Sequence, residues 1–202
     1  VYLGGGTPTS LEAEELDRLC CAIERYFDMS TVQEFTVEAG RPDSITREKL
    51  QALRKHPITR ISVNPQTMKE ETLKIIGRHH TVQQVVDTFR MARECGFDNI
   101  NMDLIAGLPY EDVESFAHSF DDVYALKPEQ LQLGFLKVLK GSFMQEHQEE
   151  YGIVHKAHPP YEVLYTKWIS YEDVLRLKGI EEMVEVYYNS RQFTHTMEEL
   201  EK

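Results

Sequence analysis

Hydrophobic and polar positions over the first two-thirds of the chain repeat one theme: a short β-rich run, a polar or glycine turn, then an amphipathic helix. Val1–Leu3 runs through Gly4-Gly5-Gly6-Thr7-Pro8 into a helix marked by Leu11, Leu16, Leu19, Ile23 and Phe27, spaced near 3.6 residues. Glu34–Ala39 alternates as a second strand, Arg41-Pro42-Asp43 breaks it, and Leu50 and Leu53 mark the next helix. Thr59–Val63 reads as a third strand, followed by Asn64-Pro65-Gln66. Asn99–Ile105 is a fourth, closed by Gly107-Leu108-Pro109, and Gln130–Leu136 a fifth, with a helix through Val113, Phe116, Phe120 and Val123 between them. Three pairs, Thr9 with Glu12, Thr67 with Glu70 and Thr81 with Gln84, have capping-box spacing and predict helix starts; Gly96 closes the last of these helices. From about Lys140 the rhythm changes. Gly141, Gly152 and Pro159-Pro160 punctuate a loop-rich stretch, and Tyr161–Tyr188 reads as helical, with Trp168, Leu175, Ile180, Val184 and Tyr187 near core spacing.

Alternating β and α segments imply parallel strands joined by right-handed crossovers, in either a doubly wound sheet or a barrel. Asn99-Ile100-Asn101-Met102-Asp103 and Gln130-Leu131-Gln132-Leu133 alternate polar with apolar. A sheet covered by helices on both faces reads as a continuous apolar run instead. The alternation favours a barrel segment whose inner face holds a polar ligand.

A chain of 202 residues, 41% hydrophobic and 28% charged, has room for a real core in one large domain or a domain plus an appendage. Its formal charge of −12 argues against a broad nucleic-acid footprint. No apolar run approaches the roughly 20 residues of a membrane helix, and no basic-then-apolar leader is present, so the expected location is cytoplasmic without membrane attachment. Cys20, Cys21 and Cys95 have no metal-ligand spacing and read as small buried hydrophobes; no metal ligand is expected in the chain. The chain opens in mid-strand without methionine and closes in a charged helical pattern, which reads as a piece of something longer.

In parallel α/β folds the site lies outside the carboxyl ends of the strands. Those ends carry Gly4-Gly5-Gly6-Thr7, Glu38, Asn64 with Gln66, and Asp103. Glycines let a ligand reach the backbone because no Cβ blocks approach. The strip is neither a Walker loop nor a dinucleotide fingerprint. Carboxylates suit ribose hydroxyls or an ammonium, amides an adenine, and glycine N–H groups a carboxylate or phosphate. Together they resemble a nucleoside-type ligand site, although either carboxylate alone would suit an ordinary loop or cap bond.

Five segments carry a family resemblance: Tyr-Leu-Gly-Gly-Gly-Thr-Pro-Thr at 2–9, Phe-Thr-Val-Glu-Ala-Gly-Arg-Pro-Asp at 35–43, Arg-Ile-Ser-Val-Asn-Pro-Gln-Thr-Met at 60–68, Ile-Gly-Arg-His-His-Thr at 76–81 and Asn-Met-Asp-Leu-Ile-Ala-Gly-Leu-Pro at 101–109. Residues 1–109 resemble the radical S-adenosylmethionine (SAM) enzymes, particularly the oxygen-independent coproporphyrinogen III oxidase branch. The resemblance implies a partial (βα)6 TIM-like barrel over 1–139, here lacking its first strand, and a mostly helical C-terminal extension over 140–202. It implies SAM bound by Gly4, Gly5, Gly6, Thr7, Glu38, Gln66, Arg78 and Asp103, with Arg78 suited to clamp the SAM carboxylate. His79 and His80 are expected at the surface or in caps.

It further implies a [4Fe–4S] cluster that reduces SAM to release a 5′-deoxyadenosyl radical, an electron donor such as flavodoxin or ferredoxin, and a small-molecule substrate of the porphyrinogen kind, oxidatively decarboxylated in porphyrin biosynthesis. The cluster's Cys-x3-Cys-x2-Cys motif belongs upstream of Val1, so this stretch alone is expected to be inactive. Segments 131–141, 159–164 and 182–190 resemble instead a cobalamin-domain-bearing radical SAM family of unassigned substrate. Three alternatives stand beside the leading reading: a cobalamin-associated radical SAM enzyme, a non-catalytic SAM- or nucleotide-binding barrel remnant, and a phosphate-binding metabolic barrel.

Overall fold

The structure, a computed structural model, describes residues 1–200. Its elements follow the alternation: β1 (Tyr2–Leu3), α1 (Ala13–Tyr26), β2 (Thr36–Gly40), α2 (Arg47–Arg54), β3 (Arg60–Gln66), α3 (Glu70–Ile75), α4 (Val82–Glu94), β4 (Ile100–Ala106), α5 (Val113–Ala125) and β5 (Gln130–Phe135). The strands form one sheet of order β1-β2-β3-β4-β5. β1 pairs parallel with β2, and β2 with β3. A doubly wound sheet reverses its strand order at a switch point. This order runs straight through, as in a barrel wall.

β4 shows why the alternation was informative. Ile100, Met102, Leu104 and Ala106 are buried, while Asn101, Asp103 and Ile105 between them are half-buried. β5 repeats the pattern, with Leu131, Leu133 and Phe135 buried against Gln130, Gln132 and Gly134.

The chain divides into two compact units, and the division cuts through the strands. One unit comprises Val1–Pro65, His79–Met102 and Leu126–Gln130. Its core gathers Leu16, Phe35, Val37, Leu50, Leu53, Ile61, Ile100 and Met102, each fully buried. Burying a side chain of this size stabilises by about 1.5–3 kcal/mol. The other comprises Gln66–Arg78, Asp103–Ala125 and Leu131–Lys202, with a core of Leu73, Leu104, Leu131, Val163 and Ile169. It also holds the elements after β5: α6 (Phe143–Glu146), α7 (Gln148–Tyr151), the antiparallel pair β6 (Val154–His155) and β7 (Val163–Tyr165), α8 (Tyr171–Met183), a π-helical continuation over Val184–Asn189, and α9 (Thr194–Leu200). β7 seats Val163 over the turn after β4, where a Cβ on Gly107 would lie 2.8 Å from Val163 Cγ1. Only glycine fits there.

The structure corrects several local expectations. Thr81 does cap α4, in a capping box with Gln84. Thr9 caps nothing: it is buried in a 3-10 turn (Pro8–Ser10), and the α1 box is formed by Glu12 and Glu15. Thr67 spends its hydroxyl on Glu111, and α3 starts from Lys69 with no side-chain cap. Leu19 and Phe27 of the expected α1 core face are exposed. Tyr161–Tyr188 is not one helix, since β7 and a loop precede α8. The buried stripe of α8 is Val174 and Leu177, with Leu175 and Ile180 exposed. His80 is 2% exposed, so it is a buried residue, whereas His79 is exposed. Cys20 is buried as expected, but Cys21 is exposed and Cys95 half-buried.

Candidate functional site

In the first unit the glycine strip meets the end of β2. Gly5 sits at φ +92°, a conformation costly for any residue with a Cβ, with nothing within 4 Å of where a Cβ would stand; Gly6 is equally open. A Cβ on Gly4 would collide with the Tyr2 ring and come within 3.0 Å of Glu38 Oε2. Glu38 thus lies directly beside the strip, and the Tyr2 hydroxyl donates to its Oε2 at 3.3 Å. Burial and the adjacent Glu38 charge push the Tyr2 pKa up, which keeps it a donor. Thr7 packs its methyl group against Gly40, where a Cβ would be 3.5 Å away.

The turn that carries the strip is held from below. The Thr9 hydroxyl donates to Ala39 O at 2.5 Å and lies 2.6 Å from Ser44 Oγ. Lys49, 9% exposed, donates from Nζ to Thr9 O at 2.8 Å and to Ser44 O at 3.4 Å. Sequence reading passed over Lys49 because a lysine on an amphipathic helix normally faces water. On β3, Asn64 Oδ1 and Ser62 Oγ are buried without a hydrogen-bond partner. A buried acceptor left unpaired costs about 1–3 kcal/mol, so Asn64 is a place where an incoming donor would be rewarded.

In the second unit Gln66 and Asp103 are brought together, with Gln66 Nε2 donating to Asp103 Oδ2 at 2.6 Å. Gln66 is 9% exposed and takes a left-handed φ of +68° at the end of β3. The next residue, Thr67, donates to Glu111 and accepts from Lys69 N at 3.1 Å, while Ser119 Oγ accepts from Met68 N at 3.1 Å. Glu111 is 1% exposed; burial raises its pKa, against the lowering effect of the Thr67 bond. Glu111 was not among the sequence candidates, and a lone acid after Leu108-Pro109-Tyr110 gave no reason to expect burial. Arg78 is half-buried beyond α3, its backbone N donating to Leu73 O at 2.8 Å.

The open glycine turn with adjoining Glu38 and the unpaired Asn64 carbonyl fit a nucleoside bearing a charged amino-acid end, as SAM is. A [4Fe–4S] cluster is different. It needs grouped thiolates, and among the described residues the one group of His, Cys, Asp and Glu able to hold a metal contains a single cysteine, Cys21. The chain's three cysteines do not fit a cluster.

Residues 1–123 match the profile of the radical SAM superfamily. The chain belongs to that superfamily. Residues 149–202 match a second profile, a protein family of unknown function (DUF4080). An oxygen-independent coproporphyrinogen-III oxidase-like protein, HemZ, of Bacillus subtilis is 49% identical over 154 residues, 76% of this chain and 31% of that protein. A heme chaperone, HemW, of the same organism is 40% identical over 64% of this chain and 34% of that protein. Among solved structures, the radical SAM enzyme coproporphyrinogen III oxidase (HemN) from Escherichia coli superposes with a TM-score of 0.68 at 26% identity, over 92% of this chain and 39% of that one. The expected α/β fold of radical SAM type is therefore present. The chain spans about a third of the length of these curated relatives.

Proposed function

We propose that this chain is the SAM-holding part of a radical SAM oxidoreductase most like oxygen-independent coproporphyrinogen III oxidase. The observation that carries the reading is the open, positive-φ glycine turn with Glu38 against it, in a chain of this superfamily. SAM, when bound, supplies a sulfonium whose one-electron cleavage is the superfamily's source of the 5′-deoxyadenosyl radical. The chain's own residues bind and orient. Gly4, Gly5, Gly6 and Thr7 present backbone groups, and Glu38 receives the SAM ammonium. Gln66 and Asp103 serve as further SAM contacts, and Arg78 serves the carboxylate. The thiolates for a cluster come from residues other than Cys20, Cys21 and Cys95, and an electron carrier such as flavodoxin or ferredoxin supplies the reducing equivalent.

The test is anaerobic reconstitution of the complete protein with iron and sulfide, followed by assay for 5′-deoxyadenosine and for decarboxylation of coproporphyrinogen. Both products are expected. 5′-Deoxyadenosine without decarboxylation would move the substrate elsewhere. That second reading, a radical SAM enzyme of another substrate, is favoured by the match of residues 149–202 to a family of unknown function. Two of the three segments resembling a cobalamin-associated family, 159–164 and 182–190, lie within it.

A further inference from the structure

On the outer side of the first unit, α1 carries Asp17, Cys21 and Glu24 at i, i+4 and i+7, on one helical face. His56, just past the end of α2, reaches that face and is 8% exposed. Its Nδ1 lies 2.5 Å from Glu24 Oε1 and its Nε2 lies 3.3 Å from Asp17 Oδ1. Ligand atoms of Asp17, Cys21 and His56 all fall within 4.8 Å of one another.

Glu24 faces one ring nitrogen of His56, and the other faces an Asp17 oxygen with the Cys21 thiol nearby. The Lys55 ammonium lies 3.5 Å from the same Asp17 oxygen, and its side chain is two-thirds exposed.

We propose that Asp17, Cys21 and His56 bind a divalent ion of the Zn²⁺ class, clamping α1 to the end of α2, with Glu24 orienting the imidazole. One nitrogen, one sulfur and one oxygen are the donor set that Zn²⁺ accepts. At ligand distances of about 2.0–2.1 Å, two vertices of a tetrahedron are about 3.3 Å apart; His56 Nε2 and Asp17 Oδ1 have that separation. Cys21 Sγ, within 4.8 Å of both, supplies the third vertex, and water takes the fourth. A carboxylate on the far nitrogen of a metal-bound histidine is the usual outer partner, fixing the tautomer. This site is independent of the SAM reading.

The test is titration of the metal-free, untagged chain with Zn²⁺ against a chromophoric chelator, and with Co²⁺ followed by absorbance. One Zn²⁺ per chain is expected, together with a thiolate-to-cobalt charge-transfer band and a thermal midpoint that rises with Zn²⁺. Cys21→Ser, at an exposed position that folding does not need, should abolish the band, and Glu24→Gln should weaken Zn²⁺ binding about 10–100-fold with circular dichroism unchanged. Cys95→Ser should leave everything as it was. Absence of Zn²⁺ binding, or a cobalt–thiolate band that survives in Cys21→Ser, overturns the proposal.

Discussion

Gln66 holds Asp103 through a single amide hydrogen bond, Nε2 to Oδ2 at 2.6 Å, from a backbone position that disfavours any residue but glycine. A left-handed conformation costs a side chain roughly 1–2 kcal/mol. Losing the amide's hydrogen bond costs a comparable amount, about 0.5–1.5 kcal/mol. The two effects can be separated. Gln66→Gly removes both the strain and the bond, so its unfolding free energy in urea is expected close to the parent's, whereas Gln66→Ala keeps the strain and loses the bond. Gln66→Ala should be the less stable of the two. Equal stabilities would mean that the backbone there is unstrained.

Gly5 and Gly6 make a matched pair for the glycine turn. Neither is crowded, yet only Gly5 has a positive φ. Gly5→Ala should lower unfolding free energy by about 1–2 kcal/mol, and Gly6→Ala should stay within about 0.5 kcal/mol of the parent. Equilibrium denaturation reads both.

Lys49 tests the support beneath that turn. Its ammonium holds the Thr9 and Ser44 carbonyls. Lys49→Met keeps the length of the stem and leaves those carbonyls without their donor, at an expected cost of about 1–3 kcal/mol. The 3-10 turn should loosen too, seen as faster amide exchange at Ser10 and Leu11. Unchanged exchange would argue that Thr9 and Ser44 suffice.

Glu111 gives a pH dependence. Its folded-state pKa is raised by burial, so the carboxyl is favoured in its protonated form. A raised folded pKa means that its contribution to stability is fully present below the unfolded value and is lost as pH rises through the folded value. Glu111→Gln keeps an acceptor for Thr67 but cannot ionise. The stability advantage of the parent over Glu111→Gln, measured by thermal melts across pH, should therefore shrink as pH rises from acid toward neutral. An advantage that grows with pH would contradict this.

The architecture was legible where a signal is local or periodic. The alternation along Ile100–Ala106 announced one buried and one polar-lined face, and that is how β4 lies. Thr81 caps its helix because its hydroxyl serves the nearby Gln84 N–H. Thr9 and Thr67 have similar local spacing and were misread because long-range acceptors, Ala39 O and Glu111, take theirs. Burial of His80 and Lys49, and the meeting of His56 with α1, depend on residues far away in sequence, which periodicity cannot report. At the candidate site, Gly5 and Glu38 were visible as strand-end groups. Tyr2, Lys49 and Glu111 were not, because they act by holding their neighbours.

The most direct measurement is calorimetry of SAM, with ribose phosphate as comparison, on the complete protein and on Glu38→Ala and Asp103→Ala. SAM should bind, ribose phosphate should not, and each variant should lose on the order of 1–3 kcal/mol, about 5- to 150-fold in affinity. Full SAM affinity in both variants, or tighter binding of the sugar phosphate, would contradict the assignment of these strand ends to an adenosyl sulfonium.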